Sequence, residues 1–83
     1  MKNFLELPSR STNGGVQYTT EFPNGYGASI VRHDFSYGSK LGLWELAVLK
    51  DGSICYDTPI TDDVLGYLSE DDVNTTLAAI EAL

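Results

Sequence analysis

Two turn dipeptides constrain the fold of this chain more than any other feature of its sequence. Asn24-Gly25 and Asp51-Gly52 each separate stretches that are rich in apolar and β-branched residues. Both dipeptides accept the positive φ angles that a two-residue β-hairpin loop requires. The sequence therefore predicts two hairpins. One joins residues 16–22 to residues 26–37, and the other joins residues 43–50 to residues 53–58.

Two-residue loops at these dipeptides also set the expected strand registers. In the first hairpin Tyr18 is expected opposite Val31, and in the second Leu49 is expected opposite Ile54. Residues 43–49 are apolar almost throughout, which is typical of a strand with neighbours on both sides. We therefore expect this strand at the centre of the sheet.

The last third of the chain carries helix signals. Thr61, followed by Asp62 and Asp63, is typical of a helix N-cap with acids in the first turn. Ser69 with Asp72 three residues later resembles a capping box. One stripe of the helix predicted after it carries the apolar residues Val73, Leu77 and Ile80.

Together these elements predict a single α+β domain. The expected architecture is a four-stranded antiparallel β-meander with one short and one longer C-terminal helix packed on one face. An N-terminal arm and polar loop (residues 1–15) precede the sheet (16–58), and a helical segment (61–83) follows it. A chain of 83 residues has only a small core, so a surface site is favoured over a buried substrate pocket.

Charge is distributed very unevenly along the chain. Residues 1–50 contain four acids and five Lys or Arg, a net of +1, whereas residues 51–83 contain eight acids and neither Lys nor Arg, a net of −8. Direct binding to DNA or RNA requires clustered cations that replace phosphate counterions. Nucleic acid is therefore not an expected partner, whereas a basic protein surface is.

Several function classes find no support in the sequence. Cys55 is the only cysteine, which excludes an intramolecular disulfide and a cysteine-based zinc site. No segment is apolar over a signal-peptide or membrane-spanning length, so the expected location is the cytoplasm. The acids do not match a calcium loop, and the scattered glycines do not match a phosphate-binding loop. No cofactor and no metal ligand are assigned.

Catalytic residues are not assigned either. His33 and Asp34 would point to opposite faces of a strand, so they cannot form a charge couple, and a structural His33 bonded to Tyr18 or to a backbone group is favoured. Cys55 is expected mid-strand as an inert, buried apolar residue. An enzyme that uses His33 with an Asp or Tyr from elsewhere in the chain ranks last.

One sheet face is expected to remain uncovered, because a single layer of helix covers only the other. Trp44 and Tyr56 fall on opposite faces in the predicted register. Core packing of Trp44 is favoured over an interface role. Two sets of side chains remain candidates for the uncovered face: Leu43, Ala47, Leu49, Ile54 and Tyr56, or else Trp44, Leu46 and Val48.

The central and C-terminal segments resemble a group of known proteins. Residues 42–52 (GLWELAVLKDG), continuing through residues 56–60 to residues 65–68, resemble the small orphan proteins encoded by phages and prophages. In size and acidity the chain is similar to anti-CRISPR and other anti-defence inhibitors, over residues 25–83. The resemblance implies a stoichiometric inhibitor whose acidic surface occupies a basic, nucleic-acid-binding site on a host protein. It contains no diagnostic motif and transfers no residue role.

The favoured hypothesis is a non-enzymatic protein-binding module that contacts a basic surface of a host protein or nucleoprotein complex, such as a CRISPR-Cas effector. The candidate contact residues are Asp57, Asp62, Asp63, Tyr67, Glu70, Asp71 and Asp72. The alternative is a structural or assembly protein that self-associates, for example as a homodimer, through the uncovered sheet face or an edge strand. Neither hypothesis involves direct nucleic-acid or membrane binding.

Overall fold

The computed structural model describes residues 3–61 and 63–83. Within those ranges, six strands form one antiparallel sheet with a single α-helix packed on it, so the predicted antiparallel α+β class is confirmed. The strands are β1 (Ser9–Thr12), β2 (Gly15–Glu21), β3 (Tyr26–Arg32), β4 (Trp44–Lys50), β5 (Ser53–Ile54) and β6 (Leu65–Leu68). The helix is α1 (Glu70–Glu81), and two 3-10 turns lie at Phe4–Glu6 and Ser39–Leu41.

Strand β4 lies at the centre of the sheet, as predicted. The strands follow the order β1-β2-β3-β4-β5, and β6 also pairs with β4. Leu49 and Lys50 pair with β5, whereas Trp44 and Leu46 pair with β6. The two short strands therefore share the outer edge of β4, which satisfies its backbone groups along most of its length.

The second predicted hairpin is confirmed in both loop and register. Asp51 and Gly52 have φ angles of 52° and 85°, as a two-residue loop of this type requires. Leu49 lies opposite Ile54. Strand β5 is shorter than predicted because it ends at Ile54, although the backbone N–H of Cys55 still donates to the carbonyl of Val48 at 2.8 Å.

The predicted register of the first hairpin is wrong by one residue. Tyr18 lies opposite Ile30, not Val31. The loop contains three residues, Pro23 to Gly25, and is closed by a hydrogen bond from the Phe22 N–H to the Tyr26 carbonyl at 2.7 Å. Proline has no N–H with which to close a two-residue loop, so the closing pair moves one position outward. A slip of one residue exchanges the two faces of a strand.

The polar loop predicted within residues 1–15 is also corrected, because this segment contains strand β1 and the turn of a hairpin. Strand β1 pairs with β2 through the loop Asn13-Gly14, whose φ angles are 43° and 81°. The Asn-Gly dipeptide was the available signal. The polar composition of β1 gave no sign of a strand. An edge strand with exposed side chains does not need apolar residues at alternate positions.

The prediction of a short helix that begins at Thr61 is wrong for the described residues after Thr61, because residues 65–68 form β6. The hydroxyl of Thr61 accepts a hydrogen bond from the backbone N–H of Asp63 at 3.1 Å. Asp62, the other acid of the predicted helix start, lies outside the described residues. The paired residues shift register between Leu65 and Leu68, which places a β-bulge in β6. Tyr67, with a φ of 58°, lies at this bulge.

Helix α1 begins and packs as the sequence predicts. The Ser69 hydroxyl accepts from the Asp72 N–H, and the Asp72 carboxylate accepts from the Ser69 N–H, both at 3.1 Å. The buried stripe of the helix faces the core and consists of Val73, Leu77 and Ile80. It packs on β3 and β4.

Aromatic residues complete the core at one end of the sheet. Trp44 is 2% exposed, which confirms its predicted core position. The ring of Phe4 lies edge-on to the rings of Trp44 and Tyr18, with centroid distances of 4.9 and 5.4 Å. Phe4 is held there because its N–H donates to the side chain of Asn74 on α1 at 2.9 Å. The N-terminal arm is therefore part of the core.

Asn24 connects the first hairpin to the end of α1. Its side-chain NH₂ group lies 3.0 to 3.1 Å from three backbone oxygens, those of Ile80, Glu81 and Leu83. The last turn of α1 has no basic side chain that could interact with these carbonyls. Asn24 supplies the donor that the helix end otherwise lacks.

We expect Asn24→Ala to lower the free energy of unfolding by about 1–2 kcal/mol, because it leaves several carbonyls without this donor. Asn24→Asp should be at least as destabilising, since it places a negative charge at the negative end of the helix dipole. Urea denaturation followed by circular dichroism measures both effects. Thr75→Ala, at an exposed position of the same helix, is the control. An Asn24→Ala protein as stable as this control would contradict the assignment.

Candidate functional site

The predicted acidic contact residues lie in segments that flank the two strands at one edge of the sheet. Asp57 follows β5, Asp63 precedes β6, and the helix acids follow β6 directly. Because β5 and β6 both pair with the outer edge of β4, these segments follow one another along that edge. We call this set the acidic edge, and its described members, all exposed, are Asp57, Asp63, Glu70, Asp71 and Asp72.

Strand β4 sets the length of the acidic edge. Its seven residues, at a rise of about 3.3 Å each, extend for about 20 Å. Strand β5, which precedes Asp57, pairs with the Lys50 end of β4, and β6, which precedes Glu70, pairs with the Trp44 end. Asp72 also caps α1, but its side chain remains exposed, so capping leaves its charge available to solvent and to a partner.

Basic side chains of the sheet have aromatic or neutral partners. The guanidinium of Arg32 lies 4.3 Å from the ring centroid of Trp44 and donates to the carbonyl of Gly42 at 3.1 Å. The ammonium of Lys50 lies 4.9 Å from the ring centroid of Tyr26, and hydrogen bonding to Tyr26 raises the pKa of Lys50. These contacts place both cations over aromatic rings, and Lys50 also lies close enough to Asp57, in the acidic edge, to lower its pKa slightly.

Cys55 is not the buried mid-strand residue that the sequence predicts. It lies just beyond β5, is half-buried, and its thiol donates to the Asp57 carboxylate at 2.8 Å. This hydrogen bond is the main cause of a lowered pKa of Asp57, followed by a backbone N–H, with Lys50 contributing least among the lowering effects. Cys55 therefore helps to keep Asp57 charged.

Tyr67, the predicted aromatic contact, is 60% exposed, and the structure surrounds it with residues that sequence reasoning missed. Phe35, Tyr37 and Leu41 are exposed as well and line, with Tyr67, a depression of about 400 Å³. We call these four side chains the aromatic patch. They come from the loop between β3 and β4 and from β6, so only the pairing of β6 with β4 brings them together.

His33 takes part in a hydrogen-bonded turn. It lies just after β3, where its Nδ1 accepts from the N–H of Phe35 at 3.1 Å. The hydroxyl of buried Ser36 accepts from the backbone N–H of His33 and donates to its carbonyl, both at 3.0 Å. The predicted structural role with a backbone partner is confirmed.

No element of residues 3–61 or 63–83 packs on the sheet face opposite α1, so this face is uncovered in the part of the chain that the structure describes, as predicted. The structure decides between the two candidate sets, because Trp44, Leu46 and Val48 are buried in the core. The uncovered face instead carries mostly small and polar side chains around Ala47 and Leu49, which line a shallow depression of about 390 Å³. Ile54 at its rim is 52% exposed.

The described residues contain neither a metal cluster nor a membrane-spanning helix. Over residues 3–61 and 63–83, no three His, Cys, Asp or Glu side chains come together in a way that could hold a metal ion. In the same ranges, no helix combines the length and apolar character needed to cross a membrane. Comparison of the chain with protein-family models, curated proteins and solved structures returned no match. Its own residues are therefore the only basis for a function.

We expect Cys55→Ala to raise the pKa of Asp57 toward the ordinary value of an aspartate, whereas Cys55→Ser keeps a donor and a low pKa. An NMR titration of the carboxyl carbon measures this, with Tyr56→Ser as the control. Since the pKa in the folded state is the lower one, the contact stabilises the protein above the unfolded-state pKa. That contribution is lost as the pH falls through the folded-state pKa. An unchanged Asp57 pKa in Cys55→Ala would contradict this.

Proposed function

We propose that this chain is a non-enzymatic protein-binding module whose acidic edge contacts a basic surface of another protein. The partner surface is a nucleic-acid-binding site of a host protein or nucleoprotein complex, such as a CRISPR-Cas effector. In this proposal the chain acts in the host cytoplasm as a phage-type inhibitor that blocks the site without binding nucleic acid itself.

The observation that carries the proposal is the placement of exposed carboxylates along one sheet edge. The five described members of the acidic edge come from segments that contain neither Lys nor Arg. Charges of one sign in a row add their potentials, which speeds association with a surface of opposite sign and selects that surface over others.

The charge density of the acidic edge supports a nucleic-acid-binding site as the target. The segments that carry the five carboxylates flank a strand of about 20 Å, and Asp62 adds a sixth charge to the same stretch of sequence. One strand of B-DNA carries about six phosphates over that length, at about 3.4 Å each. A groove of Lys and Arg residues that binds a phosphate backbone would therefore contact a similar number of negative charges on this protein.

We expect binding to fail when the acidic edge is neutralised. The variant Asp63→Asn, Glu70→Gln, Asp71→Asn removes three charges and spares both the capping residue Asp72 and the Cys55-bonded Asp57. Affinity capture from bacterial lysate at low salt should recover a basic, nucleic-acid-binding protein with the wild-type chain and not with this variant. With the purified partner, the association rate should fall by about tenfold at low ionic strength, and the difference should shrink as salt is added.

A matched variant separates this effect from a general loss of charge. Glu6→Gln, Glu21→Gln, Glu81→Gln removes the same number of charges from exposed positions outside the acidic edge. It should capture the partner as well as the wild-type chain does. Equal binding by both triple variants, with folding verified by circular dichroism, would remove the basis of the proposal.

The uncovered sheet face supports a second candidate function, a self-associating structural or assembly protein. This face carries Leu49 and the half-exposed Ile54 around its shallow depression, and no element of the described chain packs on it. A second copy could bury this surface. A net charge of −7 opposes close approach of two copies, so this candidate ranks second.

Sedimentation equilibrium distinguishes the two candidates. The protein-binding proposal expects a monomer at micromolar concentration in physiological salt. Self-association through the sheet face expects a dimer that Ala47→Glu dissociates, because a carboxylate would then be buried in the interface. A stable dimer that this substitution abolishes would replace the first proposal with the second.

A further inference from the structure

The aromatic patch is unusual for so small a protein. Its members are 80%, 60%, 71% and 60% exposed, in the order Phe35, Tyr37, Leu41 and Tyr67. Single exposed apolar residues need no explanation, but a group of four around one depression is the kind of surface that marks an interaction site. The patch lies at the Trp44 end of β4, where the helix acids also lie.

The protein holds the patch in a defined shape. Tyr67 adopts a left-handed backbone conformation at the bulge of β6, and this bulge directs its ring outward. Gly66 lies so close to Tyr37 that a Cβ atom on Gly66 would come within 2.7 Å of the Tyr37 Cβ. The N–H of Tyr37 donates to the Glu45 carboxylate at 3.1 Å. A patch that is already ordered loses little entropy when it binds.

Acidic residues lie beside the patch. Asp34 lines the same depression, and the Glu45 carboxylate is bonded to the backbone of Tyr37. The acids of α1 begin at Glu70, three residues after Tyr67. Lys40 is the one basic side chain among the residues that line this depression. Aromatic faces are thus combined with negative charge.

We propose that the aromatic patch receives arginine side chains of the partner, so that the partner surface is arginine-rich rather than merely basic. This inference rests on the proposed function and specifies its partner. A guanidinium is planar and weakly hydrated, so it stacks on aromatic rings while it bonds to carboxylates in a bidentate manner. A lysine ammonium is strongly hydrated and makes neither planar contact.

Within the described residues, the guanidinium of Arg32 lies over the ring of Trp44 at 4.3 Å while it donates to a backbone carbonyl, and the ammonium of Lys50 lies farther from its ring, at 4.9 Å from the centroid of Tyr26. A second copy of the chain fits the patch less well. It would bring its own acids against Asp34 and the helix acids, since each copy carries a net charge of −7. The positive charge of an arginine-rich surface is instead opposite to that of Asp34, Glu45 and the helix acids.

The test uses three synthetic peptides of equal length, in which arginine, lysine or glutamine alternates with glycine. Each is titrated into ¹⁵N-labelled protein and followed by NMR. The arginine peptide should shift the backbone resonances of residues 34–41 and 67 and bind about fivefold or more tightly than the lysine peptide. The glutamine peptide should produce no shift. This mapping on the wild-type protein does not depend on how any variant folds.

A pair of double variants tests whether the aromatic patch is responsible for the preference for arginine. Phe35→Ser with Tyr67→Asn removes two exposed rings, and Asn tolerates the positive φ at position 67. Ile54→Ser with Tyr56→Ser removes two side chains that are each 52% exposed, near the opposite end of β4. The first variant should lose the preference for arginine over lysine, and the second should keep it.

The outcomes separate this inference from the proposed function. If the lysine peptide binds as tightly as the arginine peptide, if neither binds, or if the aromatic double variant keeps the preference, the inference is wrong. If the triple acid-to-amide variant retains partner binding at every salt concentration, the proposed function fails instead. Resonances of the patch that shift on dilution of the free protein would show a second copy on this surface and would overturn the inference.

Discussion

The pairing of strand β4 on both of its edges is the constraint on which the rest of this structure depends. Its inward side chains, Trp44, Leu46 and Val48, form the middle of the core. Its outer edge is divided between two short strands, β5 at one end and β6 at the other. These pairings position every segment that carries the described members of the acidic edge. The hydrogen bonds of one central strand therefore organise both the stability and the charged surface of the domain.

A small core explains why the candidate sites lie at the surface. Among the described residues, nine apolar side chains are fully or almost fully buried, and they come from the sheet, from α1 and from the N-terminal arm through Phe4. Such a core has no volume to spare for an enclosed pocket. Other aromatic and apolar side chains stay outside, and the structure groups four of them at the end of the sheet nearest the helix acids. Negative charge and exposed apolar surface are thus adjacent, a combination that suits recognition of another protein.

Local chemistry made several elements predictable. The capping box of Ser69 and the stripe of α1 depend only on residues within a few helical turns, and both are confirmed. The Asp51-Gly52 hairpin is equally local. The first hairpin was placed correctly but one residue out of register, because Pro23 moved the closing pair. The acidic edge was predictable as a set of residues, but the aromatic patch was not, since Phe35 and Tyr67 are far apart in the sequence and meet only after β6 has paired.

The sequence by itself determined the fold class, the helix with its cap, the central strand and the negative charge of the last third, because each follows from composition or from neighbours a few positions apart. Only the tertiary structure decided that residues 65–68 form a strand. A free edge of β4 offered backbone hydrogen bonds that outweighed the weak helical preference around Gly66 and Tyr67. That long-range pairing aligns the acids along one edge and brings the aromatic patch together.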